Sequence, residues 1–137
     1  MDEALRALIE AKTVAVVGLD NRQDRVAYRI ATYLQGAGYR VIPVWFQQEA
    51  TEVLGERAYA RVQDIPERVD LVDVFVRSEQ TDRAIDDAIA AEVGAIWLQQ
   101  GIVNDAGLER ARAAGIVATQ DRCTMVEHRA YIGERGA

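Results

Sequence analysis

The chain has 137 residues and a mass of 15.2 kDa, so we expect a single domain over residues 1–137. Its residues are 50% hydrophobic and 28% charged, a composition that excludes a disordered or fibrous chain. The formal net charge is −6, from 16 basic and 22 acidic residues, which argues against a nucleic-acid partner because contact with many phosphates needs a basic face.

Cysteine and histidine are each present once, as Cys123 and His128. A single cysteine excludes an internal disulfide and a four-thiolate metal site. A single histidine excludes metal sites built from several histidines and leaves few groups for proton transfer near neutral pH. We therefore expect no metal, no catalytic residues and no enzymatic activity.

The first residues of the chain are acidic and amphipathic, unlike a signal peptide, which has a basic start and an apolar run. No apolar stretch approaches the ~20 residues that span a bilayer. We therefore expect a cytoplasmic protein without a membrane partner, in keeping with its single free thiol.

Strands and helices are predicted to alternate along the chain. An apolar stripe formed by Leu5, Leu8 and Ile9 indicates an N-terminal helix, and the continuous β-rich run at residues 13–17 is typical of a strand buried on both faces. The predicted elements are, in order, a helix near 2–11, strand 13–17, helix 25–37, strand 39–45, strand 69–76, helix 79–92, strand 95–98, helix 104–114 and strand 116–118.

A glycine stands between a predicted helix and the next strand at three places, Gly38, Gly94 and Gly115. Glycine fits the left-handed position that follows many helices, where a side chain would be strained. Repeated units of strand, helix and strand require right-handed crossovers, and hence a parallel sheet with helices on both faces. The predicted fold is a doubly wound α/β domain of about five strands.

Ligands bind to open parallel sheets beyond the carboxyl ends of the strands, which directs attention to the loops at those ends. The first of them, residues 18–25, lies between a buried strand and a helix N-terminus, a position that attracts phosphate through free amides and the helix dipole. Arg22 and Arg25 add two cations there. The alternative is a plain turn that carries solvated charges.

The dinucleotide fingerprint GxGxxG is absent. Only its first glycine is present, as Gly18, and Asp20 stands where the second would be. A carboxylate at Asp20 repels phosphate unless it turns away to cap the helix or to bond a neighbouring amide. The second strand ends in Val44, Trp45 and Phe46, with no acid to accept the ribose hydroxyls of NAD. NAD is therefore disfavoured, although a nucleotide is not.

Several segments together resemble the small CoA-binding proteins related to the nucleotide-binding domain of the succinyl-CoA synthetase alpha subunit. The resemblance covers roughly residues 13–130, and the order and spacing of the segments make it specific. Those segments are 17–18, 27–30, 33–34, 38–44, 52–55, 64–66, 69–70, 74–77, 97–102, 121–123 and 127–128.

The resemblance implies a single Rossmann-like domain that holds coenzyme A across the strand ends. The loop at 18–25 would cradle phosphates, the end of the second strand would lie near the adenosine, and the loops at 75–78 and 99–102 would line the rest, with the far side closed by residues 122–123. The implied binding residues are Gly18, Leu19, Asp20, Asn21, Arg22, Arg25, Val26, Val44, Trp45, Val76, Arg77, Gln99, Gly101, Ile102, Arg122 and Cys123.

The chain departs from the family at two places beside the expected nucleotide. The family usually has a small residue and Ser after the loop glycine, where this chain has Leu19 and Asp20. It usually has Asn-Pro after Pro-Val, where this chain has Trp45 and Phe46, and Trp45 could stack on an adenine face. Both departures bear on affinity and on the identity of the ligand.

Two of the remaining residues invite a catalytic interpretation. Cys123 is either a reactive thiol or a small packed residue, because its reactivity depends on a pKa that the sequence does not show. His128 follows it by five residues, which places the two on different faces of a helix and disfavours a Cys–His pair.

The leading hypothesis is a non-catalytic protein that binds CoA or an acyl-CoA by its phosphates, with an unidentified protein partner also possible. Succinyl-CoA synthetases carry a phosphohistidine segment in a further domain, and we expect this chain not to contain one. The alternatives are an NAD(P)-binding oxidoreductase-type domain and an interaction module that has kept the fold but has a degenerate nucleotide site.

Overall fold

The computed structural model describes residues 1–136, so that Ala137, the last residue of the predicted domain, lies outside the described residues. Every element predicted from the sequence is present, with each boundary within two residues of the prediction. The helices are α1 (Glu3–Glu10), α2 (Val26–Gly36), α3 (Thr81–Ala90), α4 (Asp105–Ala113) and α5 (Thr124–Gly136). The strands are β1 (Thr13–Val17), β2 (Arg40–Val44), β3 (Glu52–Val53), β4 (Glu56–Arg57), β5 (Leu71–Val74), β6 (Ala95–Leu98) and β7 (Val117–Thr119).

Five strands form one parallel sheet in the order β2-β1-β5-β6-β7. The chain passes outward from β1 to the edge strand β2 and then returns to the other side of β1 as β5. This reversal opens a crevice at the carboxyl ends of β1 and β5, where loops diverge to opposite faces of the sheet. The prediction of a doubly wound α/β domain is confirmed.

Helices cover both faces of the sheet, and alternate residues of β1 point into the two cores. Val14 and Val16 pack with the cluster that includes residues of α1 and α2, against which α5 also packs. Ala15 and Val17 pack with the cluster that includes residues of α3 and α4. Burial on both faces explains why β1 is a continuous apolar run rather than an alternating one. Within residues 1–136, no helix is long and apolar enough to cross a bilayer.

The left-handed conformation predicted for glycine after three helices is found at two of them. Gly38 has φ +103° and Gly115 has φ +83°, but Gly94 does not have a positive φ. The prediction is wrong for Gly94, because Glu92 (φ +54°) makes the left-handed turn two residues earlier. Gly94 is instead required by packing: a Cβ there would lie 2.7 Å from the carbonyl oxygen of Asp70.

A short β-hairpin, β3–β4, lies in the polar stretch between β2 and β5 and was not predicted from the sequence. Its turn residues, Leu54 (φ +53°) and Gly55 (φ +80°), both adopt the left-handed region that two-residue hairpin turns require. Val53 of the hairpin is buried against the α2 side of the sheet. The hairpin anchors the long loop that leaves the end of β2.

Candidate functional site

An open cleft lies at the carboxyl ends of β1, β2 and β5, where the strand order reverses. It brings together seven of the residues expected to bind a ligand, from three separate loops. These are Gly18, Arg22, Arg25, Val26, Trp45, Val76 and Arg77. The sequence did not single out four further lining residues, Asp24, Ala27, Gln47 and Gln80. Phe75, from the loop at 75–78 that was expected to line the ligand, also contributes to the wall.

Gly18 turns the chain sharply at the end of β1. Its φ is +98°, and its amide donates a 2.8 Å hydrogen bond to the carbonyl of Val44. A Cβ at this position would approach the Phe75 carbonyl oxygen to 3.3 Å, so both conformation and space favour glycine. The turn brings the loop close to the end of β5 and forms the floor of the cleft.

The N-terminus of α2 faces this cleft without a side-chain cap. Arg25 occupies the N-cap position and makes no capping hydrogen bond through its side chain, and the first turn of α2 holds no acidic residue. Helix N-termini leave amide groups without intrahelical partners and carry a partial positive charge. An anion lying in the cleft could therefore accept hydrogen bonds from the amides of α2.

Asp20 does turn away from the cleft, in one of the two ways that the sequence left open. Its carboxylate accepts hydrogen bonds from the Arg22 amide (3.0 Å) and from Nε of Arg22 (2.9 Å), and its Oδ2 lies 2.7 Å from Nη2. The Arg22 guanidinium lowers the pKa of Asp20, and the carboxylate raises the pKa of Arg22. Much of the charge that Arg22 brings to the cleft is neutralised internally.

Arg25 and Arg77 are the cations that remain available to a ligand at this cleft. Both side chains are exposed, and neither takes part in an ion pair within the described residues. They approach from opposite sides, Arg25 from the start of α2 and Arg77 from the loop after β5. In a chain of net charge −6, this local excess of positive charge favours a polyanionic ligand.

A second, much narrower cavity adjoins the cleft between β2, β5 and α3, with room for about one water molecule between its walls. Its walls are largely apolar, and Trp45, Val76 and Gln80 line both spaces. Trp45 and Phe46 pack against each other at 4.5 Å between ring centroids. We call this cavity the apolar slot, and it presents aromatic side chains beside the cleft.

The remaining members of the first loop and of β2 contribute less directly. The Leu19 side chain is fully buried in the core, and Leu19 lines neither cavity. Asn21 Nδ2 donates a 3.1 Å hydrogen bond to the Glu52 carbonyl, which ties the loop to the hairpin. Val44 is buried and lines the apolar slot, as its expected position near the base implies.

The loop after β6 holds internal partners instead of lining the cleft. Gln99 is buried, and its Nε2 donates to Asp73 Oδ1 (2.6 Å) and Thr124 Oγ1 (2.8 Å). The Gly101 amide donates to Asp121 Oδ1 (2.7 Å). Ile102 packs against the core on the α3 and α4 side. These residues fix the shape of the far edge of the sheet, and neither cavity includes them.

Arg122 lies apart from the other arginines of the strand-end loops. Its guanidinium pairs with Asp2 (2.8 Å) and Glu127, and it stacks on Trp97 at 4.7 Å from the ring centroid. These partners raise the pKa of Arg122. The neighbouring Cys123 packs against the core cluster on the α1 and α2 side. Arg122 therefore joins α1 to α5, and neither cavity is lined by it.

His128 is buried between two tyrosines on the α2 side of the sheet. Its Nδ1 forms a 2.7 Å hydrogen bond with the Tyr33 hydroxyl, and the rings of Tyr33 and Tyr39 meet it edge to face. Burial lowers the pKa of His128. Within the described residues, its side-chain hydrogen-bond partner is Tyr33 and not Cys123. No group of three or more His, Cys, Asp or Glu side chains there is placed to hold a metal ion.

The fold, the reversal in strand order and the cleft at that reversal define a Rossmann-like α/β domain. The sequence model of one protein family, described as a CoA binding domain, matches residues 12–129. The chain therefore belongs to the family of CoA-binding domains, which confirms the resemblance found in its sequence.

Similar proteins include uncharacterized ones and part of an enzyme. The uncharacterized protein YneT of Bacillus subtilis (strain 168) is 33% identical over 92% of each chain. A hypothetical protein from Pyrococcus horikoshii OT3 superposes with a TM-score of 0.88 at 34% identity, covering 95% of this chain and 91% of its own. The dinucleotide forming acetyl-coenzyme A synthetase 1 of Ca. Korarchaeum cryptofilum matches with a TM-score of 0.73 at 26% identity, over 83% of this chain and 27% of that enzyme.

Proposed function

We propose that this protein binds coenzyme A or an acyl-CoA without catalysing a reaction. One observation carries the proposal: an anion-binding cleft and an apolar slot adjoin at the point where the strand order reverses. The uncapped start of α2, with Arg25 and Arg77, provides for the diphosphate. The adenine ring would stack on the aromatic side chains at the slot, Trp45 and Phe46.

Membership of the CoA-binding family supports CoA over other nucleotides. The end of β2 also supports it, because Val44 and Trp45 offer no carboxylate to the ribose hydroxyls that NAD presents there. The matched region is 27% of the acetyl-coenzyme A synthetase chain, so the domain makes up a minor part of that enzyme.

A binding role without catalysis is supported by the side chains around the cleft. Three arginines line the cleft together with one carboxylate, Asp24, and arginines hold anions but do not exchange protons near neutral pH. The two residues best suited to chemistry, Cys123 and His128, belong to the packing on the α2 side of the sheet. The side chains around the cleft are therefore suited to holding a ligand and not to transforming it.

The test is isothermal titration calorimetry of the protein with CoA, acetyl-CoA, NAD and ATP. We expect CoA to bind, and the double variant Arg25→Gln/Arg77→Gln to weaken CoA binding by about 100-fold or more, since each of the two lost charged hydrogen bonds costs roughly 1.5 kcal/mol. Arg6→Gln, an exposed arginine on α1 remote from the cleft, is the matched control and should leave affinity unchanged.

The same titrations separate the competing functions. Tight binding of NAD with no binding of CoA would indicate an NAD(P)-linked protein. If no nucleotide binds, the protein is an interaction module with a degenerate site. Affinity for CoA that survives unchanged in the double variant would show that the phosphates do not lie in this cleft.

A further inference from the structure

A fourth arginine, Arg83 of α3, lies beside the apolar slot and away from the three arginines of the cleft. Its guanidinium carbon is 4.5 Å from the centroid of the Phe46 ring, at the rim of the slot. The site thus carries positive charge in two places, one at the cleft and one at the end of the slot. A ligand that matches both must be anionic at two separate points.

The positive charge of Arg83 is not neutralised by an acidic side chain of the described residues. The carboxylate one turn further along α3, Asp87, also lines the slot, but it is held by Arg61 (Nη2 to Oδ1, 2.7 Å; Nε to Oδ2, 3.2 Å) and by Gln63 Nε2 (3.2 Å). The carboxylate just before it in the helix, Asp86, pairs with Arg110. Within the described residues, Arg83 takes part in no ion pair, and its guanidinium lies over the Phe46 ring.

Stacking on Phe46 leaves the donors of Arg83 free while restricting their direction. A guanidinium that lies over an aromatic face engages the ring with its flat surface, and its N–H groups point outward in the guanidinium plane. Such a fork is suited to the bidentate recognition of a phosphate. Because the aromatic contact already orders the long side chain, less conformational entropy is lost when an anion binds.

We propose, on the basis of the function inferred above, that Arg83 recognises a phosphate carried on the ribose of the bound nucleotide. With the base stacked on the aromatic side chains at the slot and the diphosphate in the cleft, the ribose lies between them and its hydroxyl edge meets the rim of the slot. CoA carries a 3′-phosphate at that position, and NADP carries a 2′-phosphate. Arg83 thereby selects ribose-phosphorylated adenine nucleotides over those with unmodified ribose.

The experiment compares CoA with dephospho-CoA by calorimetry on the wild type, Arg83→Gln and a control. Arg57→Gln is a matched control, because Arg57 is also an exposed arginine over an aromatic ring, at 5.5 Å from the Tyr59 centroid, and lines neither cavity. We expect the wild type to prefer CoA by about 10-fold or more, and Arg83→Gln to weaken CoA to the level of dephospho-CoA while leaving dephospho-CoA unchanged. Arg57→Gln should keep the full preference.

Adenosine 3′,5′-bisphosphate and adenosine 2′,5′-bisphosphate distinguish the two sources of the ribose phosphate. Stronger binding of the 3′,5′ isomer, lost in Arg83→Gln, supports a CoA-type ligand, whereas preference for the 2′,5′ isomer supports an NADP-type ligand. Equal affinity of the wild type for CoA and dephospho-CoA, or equal weakening of both in Arg83→Gln, overturns the role of Arg83 but not CoA binding. Absence of binding by both CoA and dephospho-CoA overturns the proposed function as well.

Discussion

A carboxyl group at the centre of the sheet makes the stability of this protein depend on pH. Asp73 of β5 is fully buried, and its two oxygens accept hydrogen bonds from Gln99 Nε2 (2.6 Å) and Thr124 Oγ1 (2.9 Å). Burial raises the pKa of Asp73 from 3.8 to about 7, despite these hydrogen bonds, because no cation among residues 1–136 pairs with its carboxylate. The network joins β5 to the loop after β6 and to the start of α5.

Replacement of Asp73 by Asn keeps the size of the side chain and removes its charge. The folded wild type binds a proton at Asp73 up to about pH 7, whereas the unfolded chain releases it near pH 3.8, so the folded state is favoured by acid and loses stability as the pH rises through 7. Between pH 8 and pH 5 the wild type should gain about 2–3 kcal/mol relative to Asp73→Asn.

Urea unfolding followed by circular dichroism at pH 5, 6, 7 and 8 measures this difference. His128 acts in the opposite direction, because burial lowers its pKa and acid then favours the unfolded chain. Its effect is common to both proteins and cancels in the comparison. Asp24→Asn, at an exposed aspartate, is the control and should follow the wild type at every pH. Parallel stability curves for the wild type and Asp73→Asn would refute the assignment of a buried titrating carboxyl to Asp73.

Two further variants test the cleft and the packing of the fold. Asp20→Ser keeps a side-chain oxygen for the Arg22 amide and releases the Arg22 guanidinium from its ion pair. CoA should then bind about 2- to 30-fold more tightly, which is the effect expected when a negative charge ~8 Å from a phosphate is removed. Weaker binding in calorimetry would contradict this expectation. Gly94→Ala should lower the free energy of unfolding by about 1–3 kcal/mol, because the new Cβ would lie 2.7 Å from the Asp70 carbonyl oxygen. The control is Gly36→Ala, which should not destabilise the protein because no atom lies within 4 Å of the new Cβ. Equal effects of the two variants in urea unfolding would refute the steric explanation for Gly94.

Patterns local in sequence were sufficient to predict the elements and the class of fold. The unbroken apolar run of β1 required burial on both faces, and the alternation of strands with helices then required parallel crossovers. The prediction that a ligand binds at residues 18–25 rests on the same topology, because parallel strands direct their carboxyl ends to one edge. Local pattern was misleading at Gly94, where a contact with a distant carbonyl, and not a turn, explains the glycine.

The distribution of charge at the candidate site depends on contacts between residues far apart in the chain. In the sequence, Arg22, Arg77 and Arg122 appear as equivalent cations at strand ends. In the structure, Arg122 pairs with Asp2, 120 residues away in the chain, and does not line the cleft. Arg83 looks like one more charge on a helix surface, and only the packing of α3 beside Phe46 brings it to the rim of the slot. Charge acts through space, so its balance at a site depends on distances that composition and periodicity do not contain.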